Sequence, residues 1–159
     1  MYDRQLDQRL SEHFTLREAC KSATALRFGL DNSPPAQIIP RLKATAVHIL
    51  EPVRAHFGGR AIVPSSWYRT ETVNRLAGST NPNSQHVRGE AVDFEVPGVS
   101  NYEVAHWIEG FLTFDQLILE FYDGSDPHSG WVHVSFTAER ENRREVLRYD
   151  GRRFLAGLE

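Results

Sequence analysis

Ser84-Gln85-His86-Val87-Arg88-Gly89-Glu90-Ala91-Val92-Asp93-Phe94-Glu95-Val96 carries the pattern on which the reading turns. Val92, Phe94 and Val96 alternate with Ala91, Asp93 and Glu95, the period of a β-strand with one apolar face. Asp93 therefore points away from the apolar layer. His86 precedes it by seven residues on a loop, and Gly89 permits a tight turn between them. Forty residues after Asp93, Trp131-Val132-His133-Val134-Ser135-Phe136 repeats the alternation. Val132, Val134 and Phe136 mark its core face, so His133 projects from the opposite one. Neighbouring strands would set Asp93 and His133 on one side, with His86 closing from the loop.

Outward from this centre, Thr15 with Glu18 reads as a capping box for a short helix containing Cys20. Ile38, Ile39, Leu42, Ala46, Ile49, Leu50, Val53 and Phe57 recur at helical spacing. Ser33-Pro34-Pro35 suits the start of this helix, Gly58-Gly59 suits its end, and Pro52 predicts a kink or break near Glu51. Residues 61–68 read as a strand, Thr70 to Ala77 as a helix closed by Gly78, and 79–84 as loop. Ser100 with Glu103 predicts a capped helix whose stripe is Val104, Trp107, Ile108 and Phe111. Residues 115–122 and 131–136 read as strands, and Asp150-Gly151 as the turn of a C-terminal hairpin. Helices followed mostly by closely spaced strands predict an α+β fold, helices packed on a largely antiparallel sheet. The whole of 1–159 reads as one domain, with an N-terminal helical region over 1–58, a core over 59–136 and a hairpin region over 137–159.

The composition agrees. Among 159 residues, 40% are hydrophobic and 25% charged, and three Trp, five Tyr and nine Phe exclude a mainly disordered chain. A single cysteine, Cys20, excludes a disulfide framework. The formal charge of −3 argues against a surface built for nucleic acid. Arg140, Arg143, Arg144, Arg148, Arg152 and Arg153 are balanced by Glu139, Glu141, Glu145, Asp150 and Glu159, which reads as a mixed, solvated hairpin. The polar Met1-Tyr2-Asp3-Arg4-Gln5 carries no signal-peptide pattern, and no apolar run approaches the ~20 residues of a membrane span.

Two histidines and a carboxylate make a suitable ligand set for catalytic zinc, which takes N and O donors and leaves one corner to water. By spacing alone the set has no strong signature, and a solvated loop histidine beside an ordinary turn-facing acid is the preferred reading.

Ser84-x-His86-x-x-Gly89-x-Ala91-x-Asp93 followed by Trp131-x-His133 resembles the zinc peptidases of bacterial cell-wall peptides, the D-alanyl-D-alanine carboxypeptidase and L-alanyl-D-glutamate endopeptidase family. Its distant fold relatives include the hedgehog signalling domain. Ser65-Ser66-Trp67-Tyr68-Arg69, with Asn74 following, resembles the family's Ser-Gly-Tyr-Arg strand end. Phe114 to Phe121 resembles the strand before the last ligand, and Phe14-Thr15-Leu16-Arg17-Glu18 the N-terminal lead-in of the carboxypeptidase-like branch. The resemblance covers roughly residues 10 to 136.

The resemblance implies that His86, Asp93 and His133 hold one Zn2+. One branch of the family places a Glu three residues before the last ligand; here that position is Gly130. The other branch has a histidine five residues before it, here His128, implied as acid/base or oxyanion stabiliser. Glu120 competes as base or orients a ligand histidine. Arg69 is implied as the partner of a substrate carboxylate or carbonyl oxygen, and Ser84 as a hydrogen-bonding support. His48, His56 and His106 read as helix-surface residues, and Cys20 as a small core residue.

The expected activity is zinc-dependent hydrolysis of peptide bonds in peptidoglycan stem peptides or cross-bridges, by a monomer. The alternative is a non-catalytic, zinc-containing domain that binds wall peptides. The absence of a signal sequence leads us to expect synthesis in the cytoplasm and action at the cell wall or periplasm, as a phage or prophage lysis enzyme or a virion component.

Overall fold

A computed structural model describes residues 5–159; Met1 to Arg4, read above as polar, lie outside the described residues. Helix α1 (Leu16–Cys20) begins in the expected capping box: the Thr15 hydroxyl accepts from Glu18 N, and the Glu18 carboxylate accepts from Thr15 N at 2.8 Å. Helix α2 (Ala23–Phe28) is capped by Ser22. The long apolar pattern forms α3 (Ile39–Thr45), a π turn (Ala46–Leu50) and α4 (Glu51–His56) in succession. Pro52 does not break the chain's helical course. The Glu51 N–H reaches back to the Ala46 carbonyl in the wider turn, which accommodates the missing proline N–H and its ring. Leu42, Ala46, Ile49, Leu50 and Val53 are all fully buried.

Residues 61–68 do not form the expected strand. Their contact with the sheet is one isolated bridge, Ser66 against Asp93, with Asp93 N donating to Ser66 O at 2.7 Å and Ser66 N to Asp93 O at 3.5 Å, and Ser65 N also donating to Asp93 O at 2.9 Å. Pro64 has no N–H to extend such a ladder. The helical layer holds this segment instead. Tyr68 N donates to Ala19 O at 3.0 Å, and the buried Asn32 amide donates to the carbonyls of Cys20 and Tyr68 while accepting from Thr70 N. Trp67 is fully buried, edge-on to Phe14. Helix α5 (Glu71–Leu76) follows, capped by Thr70.

Among the described residues, five strands form one sheet in the order β1-β3-β2-β4-β5: β1 (Ala91–Phe94), β2 (Gln116–Glu120), β3 (Trp131–Ser135), β4 (Glu145–Tyr149) and β5 (Phe154–Ala156). All pairings are antiparallel except β2 with β4. Val92, Phe94, Val132, Val134, Leu117 and Leu119 face the core with α6 (Asn101–Phe111), whose Val104, Ala105 and Ile108 are buried. Phe111, expected in that stripe, is 75% exposed. The expected cap at Ser100 makes no side-chain hydrogen bond; instead the Asn101 N–H donates to the Pro127 carbonyl of a neighbouring loop at 3.1 Å.

The C-terminal region departs from a solvated hairpin. Only β4 and β5 form the hairpin, and residues 137–144 grip the domain. Arg140 pairs two-pronged with Glu90, both contacts at 3.0 Å, and Arg143 donates to Asp115 at 2.8 Å. Arg144 donates to the carbonyls of Leu112 and Glu109. Glu90 and Asp115 are fully buried, and a buried charge requires such partners.

Candidate metal centre

The site forms where β1 and β3 pair. Their register sets Asp93 directly opposite His133, and the turn from His86 to Gly89 brings the third residue in from the loop. Gly89 has φ +72°, and a side chain there would meet Ile38 at 2.6 Å, so helix packing and turn geometry both require glycine. One ligand atom from each of His86, Asp93 and His133 lies within 4.8 Å of the others, and all three residues are buried.

Each imidazole is oriented. His86 Nδ1 is 2.7 Å from the Trp67 carbonyl. A carbonyl only accepts, so Nδ1 carries the proton and Nε2 presents its other edge to Asp93 Oδ2 at 3.3 Å. His133 Nδ1 lies 2.8 Å from Asp93 Oδ1. In the neutral imidazole, His86 Nε2 is an acceptor facing a carboxylate, an arrangement that calls for a cation between them. Burial raises the Asp93 carboxyl, but the two imidazoles overcome this and hold it well below the usual carboxylate range. Two nitrogens and an oxygen converging from buried, braced side chains fit a divalent zinc ion.

Glu120 reaches the same place from β2, its Oε1 3.9 Å from His133 Nδ1. Burial lifts its carboxyl above the ordinary range, with Asp93 adding to this and His133 and Arg69 opposing it. Arg69 comes in from the irregular segment before α5. Its guanidinium donates to Ser66 Oγ at 2.8 Å and to Asp93 Oδ2 at 3.4 Å. The structure thus brings Arg69 and Glu120 to the trio.

Ser84 and His128 are placed differently. Ser84 holds the turn through its carbonyl, which accepts from Val87 N at 3.0 Å, and its hydroxyl makes no hydrogen bond to the trio. His128 is exposed in the 121–130 loop, where its backbone N–H donates to Asp126, and its ring makes no hydrogen bond or ion pair with the trio. His48 stacks on Phe136, His56 on Trp107 and His106 on Tyr102, all away from the site. Cys20 is half-buried, and burial pushes its thiol up to about 12, which leaves it inert.

Gly130 explains the missing glutamate. It has φ +67°, and a Cβ there would collide with the Glu120 carbonyl oxygen and the Phe121 backbone. No larger residue fits, and the carboxylate near the trio comes from the adjacent strand instead. Two further supports had little signal in the sequence. Trp67 acts through its carbonyl, which no side-chain pattern marks. Gln85 donates to Asp115 at 2.8 Å and so ties the His86 loop to the sheet.

An α+β domain in which two histidines and one aspartate converge beside a sheet defines a candidate metal centre. The chain belongs to the peptidase M15 family, whose model matches residues 12–135. This is a family of metallopeptidases, zinc-dependent in general. A comparison with curated proteins finds no match.

Proposed function

We propose that the protein is a zinc-dependent peptidase that hydrolyses peptide bonds in peptidoglycan stem peptides or cross-bridges. The observation that carries this reading is the approach of His86, Asp93 and His133 to within 4.8 Å, flanked by Glu120 and Arg69. Zinc held by these three would lower the pKa of water toward ~7 and polarise the scissile carbonyl. The Trp67 carbonyl keeps His86 presenting Nε2. Glu120, whose carboxylate is made more basic by burial, would take a proton from the attacking water and return it to the leaving amine. Arg69 holds a carboxylate or carbonyl oxygen of the peptide through its planar fork. We assign His128 as a second acid/base or oxyanion group, supported by the resemblance to the family branch with a histidine five residues before the last ligand, and Ser84 as a support of the ligand loop.

The protein is proposed to act as a monomer at the cell wall, in the setting of phage or prophage lysis. Purified protein with zinc should release defined fragments from peptidoglycan peptides, identified by mass spectrometry, and a chelator should stop the release. Intact peptides, under conditions where another wall peptidase cuts them, would refute the reading. The wall-peptide binding module, favoured by Gly130, would then be distinguished by retained peptide binding without cleavage.

A further inference from the structure

Trp131 stands two residues before His133 on β3 and so shares its face of the sheet. The register carries that face outward: Trp131 lies opposite Glu120, Glu120 opposite Tyr149, and Tyr149 opposite Phe154. The rings form a continuous row. Centroids are 5.0 Å apart for Phe121 and Trp131, 5.2 Å for Phe121 and Tyr149, and 4.6 Å for Tyr149 and Phe154. The row thus begins beside the trio and runs to the sheet edge, with Phe121 45% and Phe154 57% exposed. Tyr149 and Phe154 belong to the C-terminal hairpin, outside the matched span 12–135.

Phe121 is held in place against its own preference. Its φ is +54°, a left-handed conformation that L side chains seldom adopt. Its N–H donates to Tyr149 O at 2.8 Å, and Gly130 and Gly151 lie so close to its backbone and ring that a Cβ at either would meet it. A large apolar ring fixed outward beside a metal centre points to binding.

We propose that this row is a sugar subsite: it receives a pyranose ring of the glycan strand that carries the stem peptide, while the scissile bond lies at the trio. The proposal rests on the function proposed above and deepens it. Stem peptides offer small methyl groups, carboxylates and amines, which do not match a row of four rings. A pyranose offers broad, uncharged C–H faces, and the negative face of an aromatic ring attracts them. Continuity with the trio on one sheet face selects a portion of the same substrate over an unrelated partner.

The test uses the variants Phe121→Asn and Phe154→Thr, singly and together. Asn tolerates the left-handed backbone and Thr suits a strand, so both keep the fold, which melting curves check. Two substrates are compared with zinc-loaded enzyme: a stem peptide attached to its disaccharide, and the same peptide without sugar. The double variant should lose roughly tenfold in kcat/KM on the first, through KM, and stay within about twofold on the second. Independently, N-acetylglucosamine oligomers should bind metal-free wild type in calorimetry and bind the double variant roughly tenfold more weakly. Equal cleavage of both substrates, equal losses on both, or no oligomer binding would overturn the proposal. So would a wild-type dimer that the variants dissociate, because a second copy would then cover the row. If wild type cuts neither substrate, the peptidase reading fails, and oligomer binding alone decides the sugar subsite.

Discussion

Replacing Gly130 by alanine probes the coupling of backbone and site. The residue has φ +67°, and its added Cβ would run into the Glu120 carbonyl and the Phe121 backbone. Left-handed strain costs about 1–2 kcal/mol for an L residue. Forcing an atom into packed backbone adds about 1–3 kcal/mol, so Gly130→Ala should destabilise by about 2–5 kcal/mol. For a chain of this length 1 kcal/mol moves Tm by about 2–4 °C, which predicts a fall of about 4–20 °C. Gly58→Ala is the control. Gly58 has φ +79° with nothing within 4 Å of its Cβ position, so it carries only the conformational cost. Differential scanning calorimetry should show the larger fall at 130, and zinc-loaded Gly130→Ala should also lose activity as Glu120 shifts. Equal Tm values for both variants, or an unchanged Tm at 130, would refute the close approach of β2 and the 121–130 loop.

Glu120→Gln should lower kcat by about 10²–10⁴ with zinc content unchanged, measured by peptide release and metal analysis. Asp115 is buried, which raises its carboxyl, but Arg143 and Gln85 bring it down to about 2. The unfolded chain, with a carboxyl near ~3.9, therefore binds its proton first, and about 2 kcal/mol of stability present above pH ~4 is lost as the pH falls toward about 2. Urea midpoints between neutral and acid pH should show this loss in wild type and a shallower one in Asp115→Asn. Arg140→Ala removes the two-pronged partner of buried Glu90 but leaves Arg88 donating to it at 3.0 Å, so it should cost about 1.5–3 kcal/mol in urea unfolding, and the double variant Arg88→Ala with Arg140→Ala should cost more.

The period-two pattern places Asp93 and His133 on one sheet face, and β1 paired with β3 shows why: a strand alternates whatever its neighbours do. Thr15 with Glu18 is legible for the same reason, since a capping box closes within four residues. The expected span of 10 to 136 also agrees with the matched residues 12–135. What escapes a sequence reading depends on distant contacts. Residues 61–68 carry strand residue types, yet Pro64 and the Asn32 and Ala19 contacts keep them irregular. Ser100 and Glu103 have the right spacing, but Ser100 makes no capping hydrogen bond and the first helical N–H donates to the distant Pro127 carbonyl. Six tail arginines nearly match five tail acids in number, yet Arg140 and Arg143 reach Glu90 and Asp115 elsewhere in the chain. Glu120 faces the trio because β2 pairs with β3, a register that no local pattern encodes.

Zinc stoichiometry across single alanine variants tests the central claim most directly. Elemental analysis of dialysed protein should give one zinc per chain for wild type and for His106→Ala, whose ring lies away from the site. It should give none for folded His86→Ala, Asp93→Ala or His133→Ala. Full zinc retention in any of these three, or a wild type that binds no metal, would contradict the account.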